Sequence, residues 1–216
     1  MNYTLCRHCN TTRDEHKCFN PACTSNTRYK LNLYSDQLHS ARDSFEFVIT
    51  QLIPILKDFN NTIFMTGIGK SAHVINKCIA TWQSLGIKSH SLLQQDLFHG
   101  DLGIIQENDI IMYISNSGNT EELLHVSSYI KGQFPLVMQI CISNNPSAKM
   151  NEYMTHSFNI CNFKIKEADM LDMAPSVSSM LFMTLLDLIG IHLAELRGIT
   201  KTKFKMFHPA GDLGKR

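Results

Sequence analysis

Residues 110–122 read Ile110-Ile111-Met112-Tyr113-Ile114-Ser115-Asn116-Ser117-Gly118-Asn119-Thr120-Glu121-Glu122, an apolar run that breaks into small polar residues and then into acidic ones. A short apolar run closed by a Ser/Asn/Gly cluster marks a buried strand entering a turn, and the stretch 120–131 that follows reads as a helix. Ser115, Ser117 and Thr120 therefore bring three hydroxyls to a helix N-terminus, where free N–H groups and the positive end of the dipole suit a phosphate monoester. Ordinary capping explains the same letters, since Asn119 with Glu122 three residues on fits a capping box. The two uses coexist, because a phosphate takes the N–H groups that a cap leaves free.

Working outward, the pattern repeats. Strands are expected at 62–66, 89–93, 110–115, 136–143 and 157–161, and helices at 71–85, 120–131, 174–197 and 200–207. Upstream, Leu38, Ala41, Phe45, Val48, Ile49, Leu52 and Leu56 recur every three or four positions, which predicts a helix over 35–58 with a kink at Pro54. Strands separated by helices need crossover connections, so the fold class is α/β with a parallel sheet covered on both faces. Ligands in such sheets sit beyond the carboxyl ends of the strands. The loop after the first strand, Gly67-Ile68-Gly69-Lys70-Ser71, approaches the nucleoside-triphosphate P-loop but has Phe64 where that motif needs its first glycine. What remains is a turn with a lysine and a hydroxyl at a helix start, suited to one phosphate or a sugar oxygen. The plainer alternative is a glycine turn followed by a solvated Lys70.

The 216 residues, 44% of them hydrophobic, fill one full α/β domain. A net charge of +1 from 20 basic and 19 acidic residues gives no field to draw the whole chain to nucleic acid or an anionic membrane. No apolar run is expected to reach the roughly 18 residues that cross a bilayer, and residues 1–9 carry no secretory pattern, so a cytoplasmic protein is expected. Of seven cysteines, Cys78, Cys141 and Cys161 lie in apolar stretches and read as small buried hydrophobes. The other four fall within residues 1–30, a polar segment without periodicity that is set apart from a main domain of 31–216. There Cys6-x2-Cys9-x8-Cys18-x4-Cys23 has the local spacing of a four-thiolate structural zinc knuckle, with His8 and His16 as substitute ligands. A tail with reduced thiols is the alternative.

The Gly-Ile-Gly-Lys-Ser turn, the Ser-Asn-Ser-Gly loop, His99-Gly100-Asp101-Leu102-Gly103 and the terminal His208-Pro209-Ala210-Gly211-Asp212-Leu213-Gly214 together resemble the SIS-domain (sugar isomerase) arabinose-5-phosphate isomerases over residues 35–216. The resemblance implies a three-layer αβα sandwich and interconversion of D-arabinose 5-phosphate with D-ribulose 5-phosphate, without a catalytic cofactor. It also implies a catalytic set on Lys70, His99, Glu122, Glu167 and His208, phosphate contacts from Ser71, Ser115, Ser117 and Thr120, and a homo-oligomer, usually a tetramer. Two departures bear on sugar preference: Asn119 where many relatives carry glutamate, and Ala174-Pro175-Ser176-Val177-Ser178-Ser179 where they carry a Thr/Ser-rich stretch. Longer relatives continue into CBS regulatory modules, and the expectation here is a short form without them.

An aldose–ketose isomerisation moves a proton from C2 to C1 and another between the two oxygens, work suited to a carboxylate with an imidazole or a second carboxylate. Glu167 is assigned as the carbon base, His208 and His99 to ring opening and proton transfer at oxygen, and Glu122 to the enediol oxygens, with the glutamates exchangeable. Lys70 stabilises negative charge on the developing enediolate or grips a hydroxyl. The rivals are an isomerase for another sugar phosphate and a non-catalytic sugar-phosphate sensor, which has no use for a carbon base.

Overall fold

In the computed structural model, which describes residues 24–215, five short strands form one parallel sheet. They are β1 (Ile63–Thr66), β2 (Ser89–Ser91), β3 (Ile110–Ser115), β4 (Met138–Ser143) and β5 (His156–Asn159), in the order β2-β1-β3-β4-β5. The helices are α1 (Thr24–Ser40), α2 (Arg42–Leu56), α3 (Lys70–Ser84), α4 (Gln94–Leu97), α5 (Glu121–Gln133), α6 (Val177–Leu196), α7 (Lys201–Phe207) and α8 (Asp212–Lys215), with 3-10 turns at Asp101–Ile104 and Lys149–Tyr153. Cys6, Cys9, Cys18 and Cys23, with His8 and His16, lie outside the described residues.

Strand side chains alternate between two cores, which is what builds three layers from one sheet. Ile63, Met65, Ile110, Met112, Ile114, Ile140 and Ile142 pack with α2, α3 and α6 on one face. Phe64, Ile111, Tyr113 and Cys141 pack with α5, α4 and the 3-10 turn at Lys149–Tyr153 on the other. Each large side chain so enclosed contributes roughly 1.5–3 kcal/mol of burial. Trp82, fully buried, donates its Nε1–H to the Leu186 carbonyl at 2.8 Å and ties α3 to α6. Cys78, Cys141 and Cys161 are free and buried, and burial pushes the first two thiols up to about 12, so they serve as packing groups.

Three expectations are corrected. The first described helix covers Thr24–Ser40, so a boundary at residue 30/31 falls inside α1; that helix is polar nearly all round, with Gln37 buried and Leu33, Tyr34 and Leu38 partly so, and offers periodicity little to detect. The helical run is interrupted at Ala41, while Pro54 sits inside α2. Hydrogen bonding is continuous through the interruption, Ala41 N–H to Gln37 O at 3.0 Å and Phe45 N–H to Ala41 O at 2.9 Å. Finally, α6 is long and apolar enough to cross a bilayer, with a mean hydropathy of 1.7 over its best window. Leu181, Phe182, Leu185, Leu186, Ile189 and Leu193 are buried in the sheet-facing core, which explains the apolarity.

The chain winds from β1 outward to β2, then returns past β1 to β3, β4 and β5. This order places a topological switch point between β1 and β3, and the crevice beyond their carboxyl ends is where such a sheet binds ligands.

Candidate active site

Two loops flank that crevice. After β1, Gly67 lets the turn lie against β3: a Cβ there would stand 2.8 Å from the Ile114 carbonyl oxygen. Lys70 and Ser71 then open α3. After β3, Ser115 Oγ accepts the Gly118 N–H at 3.0 Å and lies 3.3 Å from Thr120 Oγ1, while Ser117 Oγ accepts the Asn119 N–H at 3.2 Å. Gly118 has φ +60°, and an added Cβ would fall 2.3 Å from the Ala148 Cβ, so only glycine fits. The expected capping box is corrected here. Thr120 holds the N-cap position of α5 without a side-chain cap, and Asn119 Oδ1 instead accepts the Lys149 N–H at 2.8 Å, joining this loop to the one after β4.

Glu167 lies on the long segment between β5 and α6 and is buried. Its Oε2 accepts from Ser176 N (2.8 Å), Ser176 Oγ (3.0 Å), Val177 N (2.7 Å) and Ser178 N (3.3 Å), so the carboxylate caps the free N–H groups at the head of α6. The segment is pinned on its other side by Gln37 of α1. Its carboxamide grips the backbone of Lys166 twice, accepting the N–H at 2.8 Å and donating to the C=O at 2.6 Å. Asp172 Oδ1 accepts the Glu167 N–H at 2.6 Å. Asp169 gathers the N–H groups of Ala174, Leu171 and Met173, and these bonds, Ala174 first, hold its carboxyl below the ordinary carboxylate value. Cys161 donates its S–H to Asn144 Oδ1 at 2.7 Å, and burial raises its thiol value.

These elements enclose a cavity of about 370 Å³ whose polar lining includes Lys70, Ser71, Asn116, Asn144, Lys164, Glu167, Asp172, Ser178 and Ser179. A second cavity of about 350 Å³ lies beside it, lined by Thr66, the Gly67-Ile68-Gly69 turn, Ser91, Gln94, Gln95 and Glu122. Ile68 borders both. The fold therefore brings Lys70, Ser71 and Glu167 together and sets Glu122 in the neighbouring cavity. Ser115, Ser117 and Thr120 line neither, and the Ser115 and Ser117 hydroxyls accept from their own loop; Asn116 between them lines the first cavity.

Neither histidine reaches these cavities within one chain. His99 is exposed beyond α4, on a segment that Phe98 anchors to α5 by stacking on His125 at 4.7 Å. His208 follows α7, stacks on Phe204 at 4.3 Å and has its Nδ1 2.8 Å from the Phe204 carbonyl. The adjoining Phe207 ring packs against Gly86, past the C-terminal end of α3. Since α3 runs back from the carboxyl end of β1, this is the opposite end of the sheet. Gln37, Lys164 and Asp172 were not singled out by sequence reasoning; none sits in a motif, and only the tertiary fold carries them to Glu167 or its cavity.

The sequence profile of the SIS domain matches residues 56–187. The chain belongs to the SIS domain family. Among curated proteins it is 33% identical over 154 residues to the arabinose 5-phosphate isomerase KdsD of Yersinia pestis, covering 71% of this chain and 46% of that one. It is also 33% identical over 167 residues to the uncharacterized protein RP505 of Rickettsia prowazekii, covering 76% and 50%. The SIS chain thus spans about half the length of the curated relatives it matches. An E. coli CFT073 protein solved in complex with arabinose 5-phosphate superposes with a TM-score of 0.72 at 27% identity, covering 86% of this chain and 99% of that one. A Methanococcus jannaschii structure with TM-score 0.66 and 18% identity, covering 83% and 97%, shares the fold.

Proposed function

We propose that this SIS protein is an aldose–ketose isomerase that interconverts D-arabinose 5-phosphate and D-ribulose 5-phosphate. The observation that carries the reading is the cavity in which a buried, oriented carboxylate, Glu167, shares its walls with Lys70 and Ser71 at the head of α3. The KdsD relative and the structural neighbour in complex with arabinose 5-phosphate support the choice of sugar.

The phosphate is held by Ser71, the Ser115–Thr120 loop hydroxyls, released from their internal bonds, and the free N–H groups at the heads of α3 and α5. With Oε2 of Glu167 occupied by four donors, Oε1 takes the proton from C2 of the open-chain aldose. The C2–H electron pair forms the C1=C2 double bond and the carbonyl oxygen becomes an enediolate oxygen, whose charge Lys70 stabilises. Return of that proton to C1, with transfer of the O2 proton to O1, gives the ketose. Glu122 acts at the enediol oxygens from the adjoining cavity once Ile68 moves aside. His208 and His99 act in ring opening and oxygen proton transfer from neighbouring copies in a homo-oligomer, which fits their positions outside the cavities of their own chain.

The test is to mix the purified protein with D-arabinose 5-phosphate, with and without a chelator, and follow ribulose 5-phosphate by NMR. Chelator-independent formation is expected. Binding without turnover would replace the reading by a sugar-phosphate sensor or a different sugar substrate.

A further inference from the structure

Asp172 is exposed where the long segment borders the cavity of Glu167 and Lys70. Its backbone has φ +56°, one of two non-glycine residues with positive φ among the described residues. Aspartate is among the few L residues that take that region readily, so the angle suits the residue and the question is what its carboxylate does. One oxygen is explained: Oδ1 accepts the Glu167 N–H at 2.6 Å. No hydrogen bond reaches the other oxygen among the described residues, and the side chain lines the cavity that contains Glu167 and Lys70.

The remaining charges of that cavity define what Asp172 faces. Lys70 and Lys164 are its cations, Glu167 and Asp172 its carboxylates, and Glu167 has Oε2 saturated by the α6 cap. With the phosphate group held, as proposed above, by Ser71 and the heads of α3 and α5, the sugar chain is left to the walls that Glu167 and Asp172 help to line. A carboxylate in those walls is suited to accept hydroxyl hydrogens, which bond to an ionised acceptor about twice as strongly as to a neutral one.

Resting on the isomerase reading, we propose that Asp172 is a specificity-determining residue, its free carboxylate oxygen binding a hydroxyl of the sugar chain while its charge disfavours a second phosphate group. The expected discrimination is for polyol monophosphates over bisphosphates and over inorganic phosphate.

Asp172→Asn separates this role from backbone support. Asparagine tolerates the left-handed region and keeps an amide oxygen for the Glu167 N–H, so the loop is preserved while the charge is lost. In the full chain, the variant is expected to raise KM for D-arabinose 5-phosphate by about 10-fold, the loss of a charge-assisted hydrogen bond, with a smaller change in kcat. Inhibition by inorganic phosphate is expected to tighten a few-fold at the same time. Opposite signs for the two ligands support the proposal. An unchanged KM, or equal weakening of sugar phosphate and inorganic phosphate, overturns it, since a merely structural residue would move both together. Asp172→Gly gives a second check: it suits φ +56° but loses the acceptor for the Glu167 N–H, so at least the same KM rise is expected, with a melting temperature lowered by only a few degrees. Wild-type protein that neither binds nor turns over a sugar monophosphate would sink the isomerase reading itself, whereas wild-type turnover with an unaffected Asn variant sinks only the role of Asp172.

Discussion

The segment after β3 and the segment before α6 both deliver polar groups to the head of a helix, by different means. Between Ser115 and Glu121 the chain turns in a few residues, closed by its own hydroxyls and by a glycine that lies against Ala148. Between Asn159 and Val177 it wanders for 17 residues without a helix or strand, and is held by carboxylates and by a glutamine from α1. The first is a short turn braced by its own hydroxyls and against the loop after β4, where Asn119 Oδ1 accepts the Lys149 N–H. The second is held by its own carboxylates and, from a distance, by Gln37, and it carries the carboxylate assigned to the chemistry.

The largest expected effect tests whether Glu167 is more than a cap. Glu167→Gln keeps an oxygen for the Ser176, Val177 and Ser178 donors, so the fold should survive, with melting changed by only a few degrees. Turnover should fall by about 10²–10⁴, the range for loss of an acid–base group, with sugar-phosphate binding retained. A variant that keeps its activity would leave Glu167 a structural cap like those of the short loop.

Next in size is the short loop itself. Gly118→Ala combines positive φ with a 2.3 Å clash against Ala148. It should cost about 2–3 kcal/mol and lower the melting temperature by roughly 4–10 °C, measurable by calorimetry. A neutral result would mean that the turn is less confined than its packing indicates.

Gln37→Ala sharpens the contrast most directly. It removes both bonds to the Lys166 backbone, at an expected cost of about 1–3 kcal/mol. Amide hydrogen exchange should quicken across 164–176 and stay unchanged across 115–120, and kcat should drop while inorganic phosphate binding holds. Uniform acceleration in both segments would show that the two loops share one stability after all.

The smallest effect is a pH dependence confined to the long loop. Asp169 is held below its unfolded value, so its contribution is complete above the unfolded value near about 3.9 and is lost as pH falls through the lower folded value. Exchange of the 171–174 amides should therefore rise only in acid, below about pH 4, and Asp169→Asn should abolish that dependence. Protection that instead fades near neutrality would point to a different titrating group.

Strand and helix positions were legible because burial on both faces makes strands such as Ile110–Ser115 continuous apolar runs, and because Gly and Ser punctuate their ends. The capping box at Asn119 was misread for the complementary reason. An asparagine looks the same in sequence whether it caps its own helix or, as here, the backbone of Lys149 thirty residues away.

By itself the sequence determined the α/β class, the parallel sheet and the two loops that open α3 and α5, since these follow from hydrophobic period and turn chemistry, which are local. Only the tertiary structure decided that Lys70 and Glu167 share one cavity while Glu122 opens into the next, that His99 and His208 stand outside both, and that Gln37 and Asp172 belong with Glu167. Those relations join residues as many as 129 positions apart through a few hydrogen bonds and packed side chains, and no periodicity along the chain records them.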